Sequence, residues 1–306
     1  MSTSSCLQRL ASLLGVALLF CSACYRVPAA DQLPDSDVQK IKDALPEKAK
    51  AQPAKPRKVL LFYRCEGFRH TDGILAGDKA LELMGKKTGA YSTEESEDMA
   101  MFEPQSLARF DAIVFNNTTA LKFENPKHRE SLMAFVQGGK GIVGVHSSTD
   151  NFYNWPEAAA MMGALFAGHP WGRCAVRLDD PQHPLLAAFG GKGFWVDDEM
   201  YKMREPYSRE KLRVLLSMDL GKMTPKDAEV GREDKDNPIA WIQQVGQGRV
   251  FYCSLGHNRH IFWDKTLLQF YLDGIQFALG DLKADATPTA KLSPQPAPAL
   301  APAAPK

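Results

Sequence analysis

The 306-residue chain carries 37 basic and 36 acidic side chains, a formal net charge of +1, and is 44% hydrophobic. So even a balance leaves no electrostatic footprint for nucleic acid or for an acidic partner, and the apolar content suffices for one or two globular domains with a sizeable core. Of the six cysteines, only Cys65, Cys174 and Cys253 lie beyond residue 24, without CxxC spacing, which argues against a disulfide framework or a thiolate zinc site.

In chain order, residues 1–24 read as an export signal. Arg9 is the only charge before LASLLGVALLF, an apolar run of signal length and too short to span a bilayer comfortably. The run ends in CSAC, which resembles a bacterial lipobox with Cys24 as the acylated cysteine, although Cys21 stands where Leu is usual. Ordinary secretory cleavage near Ala23 or Ala30 is the other reading. Either way the mature chain is expected outside the cytoplasm, periplasmic or held to a membrane only through a lipid on Cys24.

Residues 25–57 are polar and interrupted by Pro28, Pro34, Pro46, Pro53 and Pro56, so they are expected to be a disordered linker with at most a turn or two of helix. Residues 283–306 are Pro/Ala-rich low complexity and are expected to be disordered as well. Between them, residues 58–282 form one continuous block.

KVLLFY (58–63) is a buried strand, DGILAGDKALELMGKK (72–87) has helical apolar spacing, and FDAIVFNN (110–117) is a second buried strand. PKHRESLMAFVQGG (126–139) has Pro at a helix start and Gly at its end, and KGIVGVH (140–146) is a third strand. Strand, helix, strand, helix, strand implies a parallel sheet covered on both faces. AVRLDD, FWVDDEMY and LRVLLSM read as further strands, PIAWIQQ and GRVFYCSL as a hairpin closed by VGQG, and KTLLQFYLDGIQFALG (265–280) as a closing helix.

Ligands of open parallel sheets bind beyond the carboxyl ends of the strands. After the first strand comes RCEGFRHTD, with His70 just before a helix. After the third comes HSSTDNFYNWP, with His146, Ser147, Asp150 and Trp155. Gly144 stands two residues before His146, as in a GxSxG elbow that exposes a nucleophile, but Ser148 occupies the second glycine's place. His146 and Ser147 point to opposite sides at a strand end, which leaves them poorly placed as base and nucleophile. His169 follows in AGHPW beside Trp171, and Glu199 and Tyr201 lie in DDEMY, where neighbouring apolar groups favour carboxylates with raised pKa. His257 follows the last strand, with His260 three residues on. A divalent-metal site drawn from His146, His169, Glu199 and His257 is open on these residue types, with no HExxH signature to fix it.

The phrases GFRH (67–70), GGKGIVGVHSSTD (138–150), W…MMGALFAGHP (155–170), DDEMY (197–201) and PIAW…GQGRVFYCSLGH (238–257) resemble the ThuA-like, or trehalose-utilisation, family. That family's domain is similar to the class I glutamine amidotransferases. The resemblance implies an α/β, flavodoxin-like, doubly wound and mostly parallel sheet with added antiparallel strands. It also implies no glutaminase activity, because a histidine replaces the thioester-forming cysteine at the elbow. It points further to carbohydrate catabolism: acid–base elimination or hydrolysis on glycosides or 3-keto-glycosides, with His146, Glu199, His257 and His70 as catalytic groups. Ser147, Asp150, Trp155, His169, Trp171 and Tyr201 are then the substrate-binding candidates. A metal-dependent hydrolase and a non-catalytic carbohydrate-binding lipoprotein are the alternatives.

Overall fold

The computed structural model describes residues 32–169, 171–223 and 232–304, with residue 171 described by its backbone alone. The export signal and Cys24 lie outside the described residues. In chain order the elements are α1 (Asp35–Ala44), β1 (Lys58–Phe62), α2 (Thr71–Thr88), β2 (Ser92–Ser96), α3 (Pro104–Leu107), β3 (Ala112–Asn116), α4 (Pro126–Gln137), β4 (Gly141–Val145), α5 (Pro156–Met162), β5 (Leu165–Phe166), β6 (Trp171–Leu178), β7 (Phe194–Glu199), β8 (Met203–Arg204), β9 (Arg213–Met218), β10 (Pro238–Val245), β11 (Gly248–Cys253) and α6 (Lys265–Ala278).

Nine strands share one sheet in the order β2-β1-β3-β4-β11-β10-β9-β6-β7. Pairing from β2 to β11 is parallel, and pairing from β11 to β7 is antiparallel. The period of two along a strand assigns the faces. Val59 and Leu61 of β1, Val114 of β3 and Val143 and Val145 of β4 pack with α2 and α6. Their alternates Leu60, Phe62, Ile113, Phe115 and Ile142 pack with α4 and α5. Burial on both faces is why these strands read as unbroken apolar runs, and the parallel pairing of β1, β3, β4 and β11 brings their carboxyl ends to one edge. No helix among the described residues is long and apolar enough to cross a membrane.

Two expectations need correction. Residues 33–57 are not a disordered linker: α1 buries Ile41 and Ala44, and with Leu45 and Ala49 it joins the cluster beneath α2 and α6. Pro34 stands at the N-cap of α1 and Pro46 follows its last turn, so these prolines mark helix boundaries rather than forbid the helix. The tail from residue 283 is also placed. Leu178 and Ala299 exchange backbone hydrogen bonds of 3.0 and 2.9 Å, Thr289 N–H donates to Leu212 O at 2.9 Å, and Ala301 N–H donates to Asp219 Oδ2 at 2.9 Å. Its composition cannot supply a core, but main-chain bonds to the sheet need no apolar side chains. Among the described residues the compact unit therefore extends beyond 58–282, from Leu33 to residue 304.

Candidate functional site

Four side chains meet where the strands end. His70 caps α2 after β1, His146 opens the 3₁₀ turn His146–Thr149 after β4, Glu199 ends β7, and His257 follows β11. His146 has φ +48°, a left-handed conformation that costs a β-carbon residue about 1–3 kcal/mol and persists only where its surroundings impose it. The sharp elbow that GGKGIVGVHSSTD suggests is thus present, with a fully buried imidazole at its apex.

The hydrogen bonds around His146 set its chemistry. Nδ1 lies 2.7 Å from the Ser254 carbonyl oxygen, a pure acceptor, so Nδ1 carries the proton and donates it. Nε2, the other ring nitrogen, lies 3.2 Å from Glu199 Oε2 and 3.3 Å from His257 Nδ1. His257 Nδ1 is 3.0 Å from the same Oε2, and His70 Nε2 is 3.8 Å from it. The four donor atoms all fall within 4.8 Å of one another. A tetrahedral zinc with bonds of about 2.0–2.1 Å spaces its ligands about 3.3 Å apart, so three nitrogens and one carboxylate oxygen at these separations fit a divalent ion. The backbone carbonyl holding the distal nitrogen of His146 is the usual support of a metal-ligating histidine.

Glu199 is largely buried, and burial opposes its ionisation. Hydrogen bonds from His146, His257 and His70 outweigh that, and they hold the carboxyl well below the ordinary carboxylate range. Burial pushes the His70 imidazole down to about 4, which keeps it neutral. Burial also disfavours the charged form of His257, but its bond to Glu199 prevails and raises the pKa.

Around this cluster the ring of Tyr201 stands 4.4 Å from that of His146, and its hydroxyl is 3.5 Å from His70 Nε2. His169 reaches the other oxygen of Glu199, with Nε2 3.1 Å from Oε1, and its side chain is 43% exposed. It therefore lies beside the four-donor group rather than in it, and His70 takes the place that spacing offered to His169. His260 is not among the four donors either. Asp150 is half-buried and accepts the hydroxyl proton of Tyr153, whose ring lies 5.2 Å beneath the Arg204 guanidinium. Phe68, 68% exposed, packs edge-on against His70 at 4.8 Å.

Trp155 is no sugar platform. It is 6% exposed and packs between Phe123 and Phe152 at 5.4 and 5.7 Å, because the segment after Tyr153 turns back to start α5. The side chain of Trp171 lies outside the described residues, although its backbone pairs with Glu199. Ser147 is fully buried, and its hydroxyl has no hydrogen-bond partner among the described residues. The residues that sequence reasoning passed over are Ser254, whose contribution is a main-chain carbonyl invisible to residue type, and Phe68 at the rim.

The sequence model of the ThuA family, described as trehalose utilisation, matches residues 58–278. No curated protein sequence matches the chain. Among solved structures, a protein described as ThuA-like from Bacteroides uniformis is 21% identical, with a TM-score of 0.61 over 75% of this chain and 94% of its own. Another described as ThuA-like, from Parabacteroides merdae, is 18% identical, with a TM-score of 0.58 over 76% of this chain and 93% of its own. At such identities the likeness concerns the fold.

Proposed function

The chain belongs to the ThuA family of trehalose utilisation, and from that premise we propose that it is an exported, divalent-metal-dependent enzyme acting on glycosides or their 3-keto derivatives. The observation that carries the metal is the convergence of His70, His146, Glu199 and His257, with donor atoms within 4.8 Å. Such an ion would act as a Lewis acid on a substrate carbonyl or hydroxyl oxygen.

With those four groups as ligands, His169 and Tyr201 remain to move protons. His169 Nε2–H is oriented by Glu199 Oε1, which leaves Nδ1 as the basic atom on an exposed ring. The Tyr201 hydroxyl, buried and with its pKa raised by burial and then by Glu199, stays protonated and can donate. On a 3-keto-glycoside, removal of the acidified C2 proton by a base and departure of the C1 oxygen with a proton from an acid would complete an elimination. Asp150, Tyr153 and Phe68 offer polar and aromatic faces for the sugar.

The strand order β2-β1-β3-β4-β11 supports reading the parallel half as flavodoxin-like, order 2-1-3-4-5, with β10, β9, β6 and β7 added beyond it. No glutaminase activity is expected with His146 at the elbow. Export rests on the composition of residues 1–24, with Cys24 as the anchor.

The test is to incubate zinc-loaded and chelator-treated protein with a 3-keto-glycoside and with its parent glycoside. Cleavage by the loaded protein alone is expected. Equal cleavage by both would remove the metal from the reaction, and no cleavage of either compound would remove this substrate class.

A further inference from the structure

We infer that Asp198 is a positioning residue for the site, acting through the backbone of residues 254–258. This rests on the metal reading above and deepens it. Alternation along β7 turns Asp198 away from Glu199, and the Asp198 carboxylate is 1% exposed. Main-chain N–H groups of the segment that carries His257 donate to it. Gly256 N–H donates to Oδ2 at 2.7 Å, His257 N–H to Oδ2 at 3.4 Å, and Asn258 N–H to Oδ1 at 3.0 Å.

The same segment is gripped from other sides. Asn117 Nδ2 donates to Gly256 O at 3.2 Å, and the Tyr271 hydroxyl donates to Leu255 O. Ser254 O accepts the His146 Nδ1 proton at 2.7 Å, and Ser254 Oγ accepts Tyr201 N–H at 3.3 Å. SLGHN therefore fixes two ligands at once: His257 as its own side chain and His146 through a carbonyl. A carboxylate taking three successive N–H groups leaves this loop one backbone path. Adjacent acids on one strand thus divide the labour, Glu199 meeting the histidines and Asp198 holding the loop that delivers one of them.

Asp198→Asn keeps the shape but replaces one acceptor oxygen by an NH₂ group. In either amide orientation a donor then faces a backbone donor. Asp197→Asn is the control, since it removes the same charge from the exposed neighbour.

Two measurements on the full protein decide the matter: amide hydrogen exchange of residues 254–258 in metal-free protein, and zinc affinity by competitive titration. In Asp198→Asn, exchange across 254–258 should accelerate at least tenfold and the zinc Kd should rise about 10–100-fold, as for other groups that orient metal ligands. Asp197→Asn should change neither. Unchanged exchange and affinity in Asp198→Asn, or an equal loss in Asp197→Asn, would overturn the inference. Should wild type take up no zinc, the metal reading fails, and the exchange data alone decide whether Asp198 positions the loop. If Asp198→Asn does not fold, Asn117→Gly serves. Position 117 has φ +54°, which glycine adopts without strain, and loss of its bond to Gly256 O should loosen the same segment while tight exchange there would refute the brace.

Discussion

Gly73→Ala is the sharpest structural perturbation of the site, because two effects of opposite sign compete. Gly73 lies three residues beyond His70 in α2, where alanine should raise intrinsic helix stability by about 1 kcal/mol. A β-carbon there would stand 2.3 Å from Gly256 O, 3.0 Å from His257 O and 2.8 Å from Asn117 Nδ2. An ordinary carbon–oxygen contact is about 3.3–3.6 Å, so α2 and the His257 loop must part by about 1 Å. The obstructing atoms are mostly backbone and cannot rotate away, and overpacking of this kind costs about 1–3 kcal/mol. The net effect is a loss of up to about 2 kcal/mol. The displacement falls between His70 and His257, and metal sites tolerate only about 0.2 Å, so the zinc Kd should rise at least about 100-fold. Urea unfolding of the metal-free protein and a competitive zinc titration measure the two quantities. A variant more stable by about 1 kcal/mol with unchanged zinc affinity would refute the close approach of α2 to this loop.

Burial raises Asp78 to about 8, so the native state keeps a proton that the unfolded chain releases near pH 4. Stability therefore falls as pH rises between about 4 and 8, and Asp78→Asn should flatten the decline of Tm from pH 5 to 8; an unchanged slope would contradict this. His169→Ala should lower turnover at least tenfold while the zinc Kd moves less than about threefold, since His169 meets Glu199 at Oε1 and not at the Oε2 that faces the three ligand histidines; a loss of affinity matching that of a ligand variant would place His169 inside the metal site. Truncation after residue 287 removes the Leu178–Ala299 pair and the bonds from Thr289 and Ala301, each worth about 0.5–1.5 kcal/mol before ordering entropy is counted. The denaturation midpoint should fall, and an equal midpoint would mean that the tail adds nothing to the fold.

The parallel half was legible because β1, β3 and β4 are buried on both faces and α2 and α4 carry helical spacing or boundary residues. β2 was not, since its STEES sequence pairs by main chain at the sheet edge with no apolar run. The elbow at His146 could be anticipated from GIVGVH, and Glu199 and His257 from their places at strand ends. The choice between His70 and His169 could not be read, because it depends on how closely α2 approaches residues 256 and 257. Trp155 misled for a related reason: an aromatic near a strand end looks like a ligand platform until the chain turns it into the core. The flanks were misread through their prolines and low complexity, where a few buried side chains and main-chain bonds suffice to hold a segment.

The central claim is that His70, His146, Glu199 and His257 hold one divalent ion. Chelator-treated protein titrated with zinc against a competing indicator, beside Glu199→Gln and His146→Ala, tests it most directly. One equivalent per chain in wild type, with affinity reduced at least about 100-fold in both folded variants, is the predicted result. No stoichiometric uptake by wild type, or variants that bind as tightly as wild type, would contradict it.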